Sequence, residues 1–336
     1  MLFNLDKMAL NFHNQKDSIA LMNAWSKESK PFLFIVSYDR EKNIILALDE
    51  VDQTNIKYDF EGVTNAIPKN QSEAKQEVCF SRQPLSFDEF EKSFSRVITG
   101  LKRGDSFLCN LTCETPVNCS VDPEELFYRT QARYKLWVKG EFVLFSPEIF
   151  VKIKDGIIRS YPMKGTIDAA FPNAEETILS DVKESAEHAT IVDLIRNDLS
   201  QVAYPVWVER YRYIDKLHTS NGEILQVSSE VCGKIGNING SLGSVLFALL
   251  PAGSITGAPK PSTCRIINEA ETHDRNFYTG VCGIFDGKQV NSAVMIRFIE
   301  ERNNRLYFKS GGGITTRSNA MSEYNELIQK VYVSIR

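Results

Sequence analysis

Apolar residues recur along this chain at two spacings, and each spacing predicts a kind of element. Pro31–Tyr38 and Asn43–Leu48 are apolar runs with little interruption, set between polar turns, and read as strands. A stretch rich in Asn, Gln, Lys and Pro at 65–84 marks a weak boundary. The spacing then becomes helical: Phe87, Phe90, Phe94, Val97, Ile98 and Leu101 share one face, and Ser86 with Glu89 forms the S-x-x-E box that starts such a helix. The helix ends at Gly104, and Phe107–Thr112 resumes as a strand.

Asp155-Gly156 stands between the alternating runs 150–154 and 157–161, a strong hairpin signal. A two-residue loop pairs Lys154 with Ile157 and, by extension, position 147 with 164, which makes Lys164 and Glu148 neighbours. Strict alternation sends these two side chains to opposite faces. Sharing a site therefore requires a bulge or a strand end near Pro147 or Gly165.

Asp181–Leu199 has helical spacing, with Val182, Ala186, Ile191, Leu194 and Ile195 on its apolar side, and a second helix is expected over Ser322–Val333. Further strands are expected at Glu223–Val231, Phe277–Phe285, 292–300 and 305–310. Strands and helices mix without regular βαβ alternation, and no G-x-G-x-x-G is present. The class is α+β with large antiparallel sheets rather than a dinucleotide-binding fold.

Composition narrows the function. An apolar content of 43% permits a large core, and a net charge of −4 without any block of Lys or Arg argues against nucleic acid or an anionic membrane as partner. Seven cysteines, odd in number and without a C-x-x-C pair, favour reduced thiols over zinc or a disulfide framework. No leader pattern opens the chain and no apolar run is long enough to span a bilayer, so a cytoplasmic protein is expected.

Glu184 and Glu187 lie three apart on one predicted helix and Glu323 and Glu326 on the other, so each pair projects from one face. Four converging carboxylates would suit a hard divalent cation, although i,i+3 glutamates are equally the pattern of a solvated face. Gly253–Lys260 and Gly311–Gly313 read as glycine-rich turns leading toward helices, either able to offer N–H groups to an anion, with Lys260 adding charge, or plain turns. Lys164 ends an apolar strand, where desolvation would lower its pKa and free a nucleophilic amine, or it is an exposed strand-end lysine. Arg297 is a cation in an apolar strand and requires a partner, either an anionic ligand or a structural carboxylate.

In order, Ser146-Pro-Glu148, Pro162–Thr166, Lys183–His188, Asp193–Asp198, Pro251–Lys260, Ile296-Arg297, Gly311–Gly313 and Glu323–Glu326 with Lys330 resemble the chorismate-utilising enzymes: anthranilate, aminodeoxychorismate, isochorismate and salicylate synthases. The resemblance covers residues 85–336. It implies a single chorismate-binding domain over 1–336, with a shortened N-terminal region at 1–84 and a catalytic core at 85–336, built as antiparallel sheets packed in a sandwich with flanking helices. It also implies Mg2+ held by Glu187 and Glu326, with Glu184 and Glu323 in support, against the ring carboxylate of chorismate. Arg297, Tyr278 and the amides of Gly311, Gly312 and Gly313 would hold the other carboxylate, with Thr166 and Lys330 also on the substrate. Glu148 would be general acid to the C4 hydroxyl and Lys164 the nucleophile at C2.

Within the family, lysine in P-x-K-G-T marks the aminodeoxychorismate synthase type, where anthranilate synthase has alanine or glycine. Lys164 therefore implies conversion of chorismate and ammonia to 4-amino-4-deoxychorismate, toward p-aminobenzoate and folate, with anthranilate synthase component I as the alternative. Water-adding members resemble one another in a basic lysine where this chain has Leu108, and many relatives carry histidine where it has Gln226. No L-L-E-S-type segment is found, so tryptophan feedback is not expected. No glutaminase motif or fused lyase is found either, which implies a separate glutamine amidotransferase subunit as the ammonia source.

Overall fold

The computed structural model describes residues 10–68, 78–219 and 222–333; the middle of the boundary read at 65–84 lies outside them. Among these residues are two nine-stranded sheets whose strand pairs are all antiparallel. The first runs from Asn43–Ala47 through Phe32–Val36, Val281–Phe285, Val290–Val294 and Ile149–Lys154 to Ile157–Ser160. Ile157–Ser160 and Met163–Asp168 then lie in turn along one side of the long strand Gly222–Lys234, and Val206–Thr219 lies along its other side. The second runs Val63–Thr64, Ile56–Phe60, Tyr134–Val138, Phe142–Ser146, Phe298–Arg302, Arg305–Ile314 and Leu108–Cys119. Residues before 85 thus contribute strands to both sheets.

Eight helices flank the sheets among the described residues: α1 (Gln15–Lys27), α2 (Phe87–Lys102), α3 (Pro123–Arg129), α4 (Ala174–Ser180), α5 (Val182–Leu199), α6 (Leu242–Ala248), α7 (Lys260–Ala270) and α8 (Ala320–Gln329). The strand Phe32–Val36 shows how the layers form. It is buried throughout, with Phe32, Phe34 and Val36 packed among residues of α1, α5 and α6. Leu33 and Ile35 point the other way, into a core shared with Tyr58, Leu136, Phe142 and Phe298 of the second sheet. A strand covered on both faces loses the polar alternation of a half-exposed one, which is why this run reads as unbroken apolar sequence. Helices α2, α7 and α8 pack on Cys109, Leu111 and Ile314, and α3 on Trp137, Val143 and Ile299, so the sandwich carries helices outside both sheets.

The capping box of α2 is present, with Ser86 accepting from Glu89 N and Glu89 accepting from Ser86 N. The hairpin pairs Lys154 with Ile157 as its turn requires. Several boundaries differ from the sequence reading. The expected strand 277–285 begins only at Val281, because 277–280 is a turn with Thr279 at φ 62°. The expected strand 292–300 is two strands in different sheets, broken at Met295–Arg297, where Arg297 has φ 52°. Gly311–Gly313 is not a turn but the end of strand Arg305–Ile314, paired to Thr112, Leu111 and Asn110. Helix α8 spans 320–329 rather than 322–333, capped by Asn319 in front and closed at Lys330. Val182 heads α5 but is 82% exposed, so the apolar side of that helix begins later.

Two passages between the sheets lie side by side. The chain leaves the second sheet at Ser146 and enters the first at Ile149, and it returns from Val294 to Phe298. Ser146 Oγ donates to Val294 O at 2.6 Å, Val294 N to Glu148 O at 3.1 Å and Phe145 N to Arg297 O at 3.1 Å. Beside them, Arg275 is buried in a paired contact with Glu271, at 2.7 and 2.9 Å, and donates to the carbonyls of Asn110 and Ile255. Arg275→Met should lower the unfolding free energy by about 3–5 kcal/mol, because Glu271, though it still accepts from Thr112, would be left buried without its counter-charge. Urea titration against the wild type measures it, and a loss well under 1 kcal/mol would mean the pair holds nothing.

Candidate active site

A cavity of about 1720 Å3 opens between the two passages, the end of strand Arg305–Ile314 and helices α5 and α8. Glu148, Lys164, Thr166, Tyr278, Arg297, Gly311, Gly312, Gly313, Lys330, Glu184, Glu187, Glu323 and Glu326 all line it. Lys260 does not. It pairs with Asp198 at 2.8 Å and donates to Leu249 O, so the charge expected of it serves the turn rather than a ligand in this cavity.

Lys164 reaches the cavity through a local irregularity. Met163 pairs with Ser228 but Thr166 with Gln226, so a bulge falls on Lys164-Gly165, and Gly165 has φ +87°. The expected pairing of 147 with 164 is not formed, because the hairpin ladder stops near Ser160 and Met163–Asp168 pairs with Gly222–Lys234 instead, and Lys164 and Glu148 line one space without lying opposite each other in a hairpin. A Cβ on Gly165 would stand 3.2 Å from Glu184 Oε2, so both the backbone angle and the neighbouring carboxylate favour glycine there. Gly312 is similarly placed: its Cβ would stand 3.7 Å from both Glu323 Oε2 and Lys330 Nζ, which brings bare backbone against the acidic cluster.

The electrostatics are dominated by the glutamates. Lys164 Nζ lies 2.8 Å from Glu187 Oε2. Burial pulls the Lys164 ammonium down, but the hydrogen bond to Glu187 and the charges of Glu187, Glu184 and Glu326 outweigh it and hold the amine above its ordinary pKa. This corrects the expected depression, which weighed desolvation without the carboxylates. Glu184 and Glu323 are pushed up by burial, Glu184 further by Glu187 and Glu323 further by Glu326. Burial also pushes Glu326 upward, but Lys330 at 2.8 Å, Lys164 and Lys183 bring it below its usual value. Among the described residues, no three His, Cys, Asp or Glu side chains stand close enough to hold a metal ion as they are.

On the opposite wall, Glu148 accepts from Ser254 Oγ at 2.6 Å. Burial raises its carboxyl, against the pull of Ser254 and Arg297. Arg297 makes no ion pair among the described residues and lies over the Tyr332 ring at 5.5 Å. Burial raises the Tyr278 phenol as well, with its ring against Phe298 at 5.8 Å. Gln226 lines the cavity across from Thr166. His188 points elsewhere: fully buried and bonded to Ser229 at 2.7 Å, it is pushed down to about 4 by burial and Arg212 and remains neutral.

Sequence reasoning missed Ser254 and the Glu271–Arg275 pair. The first lay inside a turn read only for its glycines. The second carried a signal, an E-x-x-x-R spacing, that nothing tied to the cavity.

A family model described as chorismate binding enzyme matches residues 4–336. The chain belongs to the chorismate-binding enzyme family. It is 46% identical over 314 residues to an uncharacterized PabA-like protein of Haemophilus influenzae, covering 93% of this chain and 95% of that one. It is 30% identical over 259 residues to aminodeoxychorismate synthase component 1 of Salmonella typhimurium, covering 72% of this chain and 56% of the relative. The menaquinone-specific isochorismate synthase of Escherichia coli has the same fold, with a TM-score of 0.70 at 14% identity over 94% of this chain and 80% of that one. Among the described residues of this chorismate-binding enzyme, no helix is long and apolar enough to cross a membrane.

The position of Glu148 predicts a pH-dependent stability. A carboxyl whose pKa is raised by folding contributes most below its unfolded pKa and loses that contribution as pH rises through the folded value. Glu148→Gln should therefore resist urea better than the wild type at pH 7–8, with the difference vanishing below the carboxylate range. A variant equally or less stable at pH 8 would contradict a raised Glu148.

Proposed function

We propose that this chain is component I of an aminodeoxychorismate synthase, replacing the C4 hydroxyl of chorismate by an amino group taken from ammonia. The observation that carries the reading is Lys164, an amine that lines the same cavity as Glu148 and is hydrogen-bonded to Glu187 of the glutamate cluster. In this reading Lys164 first loses its proton to solvent in the cavity and adds as the free amine through Nζ at C2, while Glu148 gives a proton to the C4 hydroxyl, which leaves as water. Ammonia then attacks C4, the C2–N bond to Lys164 breaks, and the enolpyruvyl group stays on the ring. Arg297, Tyr278 and the backbone of Gly311–Gly313 hold a substrate carboxylate, with Thr166 and Lys330 completing the wall.

The donor set around α5 and α8 fits Mg2+. It is all oxygen, the chemistry a hard divalent cation takes, and the four carboxylates line one cavity. Glu187 and Glu326 would hold the ion, with Glu184 and Glu323 in support. When bound it would offset the carboxylate charge of the substrate. The ammonia would come from a separate glutamine amidotransferase subunit, with free ammonium as its substitute in vitro and a cytoplasmic setting for both.

Lys164→Ala should stop or greatly slow the ammonia-dependent reaction while leaving chorismate binding largely intact. A wild-type reaction quenched without ammonia should show a chorismate-derived mass on the peptide containing Lys164, absent from the alanine variant. Near-normal synthesis by Lys164→Ala would reduce the lysine to an electrostatic neighbour and favour direct attack by ammonia, as for an anthranilate synthase. Glu187→Gln and Glu326→Gln should each keep the circular dichroism of the wild type and lose turnover across an Mg2+ titration. Full activity of either at ordinary Mg2+ would remove the metal assignment.

A further inference from the structure

The reaction proposed above takes a proton from Glu148 at every turnover, and a substrate in the large cavity would cover that face of the carboxyl. A second cavity, of about 20 Å3, lies on another side of Glu148, walled by Ser160, Asp198, Ser254 and the apolar Ile195, Leu199 and Val294. Its volume suits a single water, which needs at least two polar partners. Glu148, Ser254 and Asp198 supply them. Ser160 is otherwise engaged, its hydroxyl donating to Phe150 O at 3.0 Å.

Asp198 leads outward from this cavity. Its carboxylate lies 2.8 Å from Lys260 Nζ, and Lys260 also donates to Leu249 O. The Asp198 side chain is 12% exposed and that of Lys260 18%, so the pair is largely buried but touches solvent. The same pair anchors the turn that carries Ser254, whose hydroxyl is on Glu148. Neither residue lines the large cavity, and the mechanism above gives neither a task.

We propose that the small cavity binds one water that returns protons to Glu148 from the Asp198–Lys260 pair, an inference that rests on Glu148 being the general acid. The balance is simple. Glu148 loses its proton to the departing hydroxyl, which leaves as water. The Asp198 carboxylate, charged at rest beside Lys260, takes a proton from the Lys260 ammonium and passes it to the cavity water, which gives one to the Glu148 carboxylate. Lys260 then regains one from solvent, with no change of oxidation state anywhere. Burial raises the Asp198 carboxyl, against the pull of Lys260 and Gly253, which suits a group that must hold a proton briefly. Asp198 and Lys260 are positioning residues here, acting on substrate only through Glu148.

Two variants test this, Asp198→Asn and Val294→Ile. The first keeps the shape and removes the carboxyl. The second fills the cavity without touching the ion pair, so the test survives if the first fails to fold. A high-resolution crystal structure of the wild type should show an ordered water between Glu148 and Asp198, lost in Val294→Ile. With chorismate, Mg2+ and ammonium, both variants should lose about tenfold in kcat, keep KM for chorismate within about twofold, and show a larger solvent deuterium isotope effect on kcat than the wild type. A dry cavity in the wild type overturns the proposal whatever the activities. Variants with unchanged kcat and isotope effect overturn it too, as does a fall in kcat with no change in isotope effect, which marks a structural role. A wild type that leaves chorismate untouched overturns the proposed reaction and this route together, whereas a working wild type with indifferent variants overturns the route alone.

Discussion

Two strands of this protein change sheets next to each other, and that constraint organises everything around the cavity. Glu148 and Arg297 both lie outside the regular strands, in the passages between sheets. At the passages Ser146–Ile149 and Val294–Phe298 the pleat is interrupted, and the hydrogen bonds of Ser146, Val294 and Phe145 hold the two segments together. Glu148 and Arg297 are released there into one space, close enough for the arginine charge to act on the carboxyl. Buried Arg275 secures the adjoining wall by bonding the carbonyls of Asn110 and Ile255, so the geometry belongs to packed elements rather than to a loop.

The cavity holds a half-buried carboxyl with a raised pKa, Glu148, and an acidic cluster to which Lys164 is bonded. In this structure the cluster and the lysine satisfy one another, Lys164 with Glu187 and Lys330 with Glu326. Two carboxyls, those of Glu184 and Glu323, remain raised despite these cations, chiefly because they are buried. In the proposed function a divalent cation would join these carboxylates, and taking one up would loosen the hold on Lys164 that keeps its amine protonated. The same arithmetic explains why an isolated reading of Lys164, weighing desolvation alone, gives its pKa shift the wrong sign.

Much of the fold was legible because its signals are local. The capping box of α2, the Asp155-Gly156 turn and the apolar run 32–36 each specify structure within a few residues. What escaped was long-range. Residues 292–300 read as one strand because apolar spacing does not record which sheet a strand joins, and only the partners of Val294 and Phe298 show the break. Gly311–Gly313 looked like a turn because glycine usually marks one, whereas here bare backbone runs in a strand beneath Glu323 and Lys330. The residues that line the cavity were named from the order of their motifs, and an irregularity near Gly165, one of those expected, does occur, though in the pairing with Gly222–Lys234. Ser254 and Asp198 carry no pattern of their own, since their roles depend on a turn packed against a distant helix.

The central claim is that this cavity aminates chorismate and stops there. Incubating the purified chain with chorismate, Mg2+ and 15N-ammonium, and following products by mass spectrometry, tests it most directly. The account predicts that chorismate is consumed to a product carrying one 15N and the intact enolpyruvyl group, with no pyruvate released. Anthranilate appearing together with an equal amount of pyruvate would contradict it.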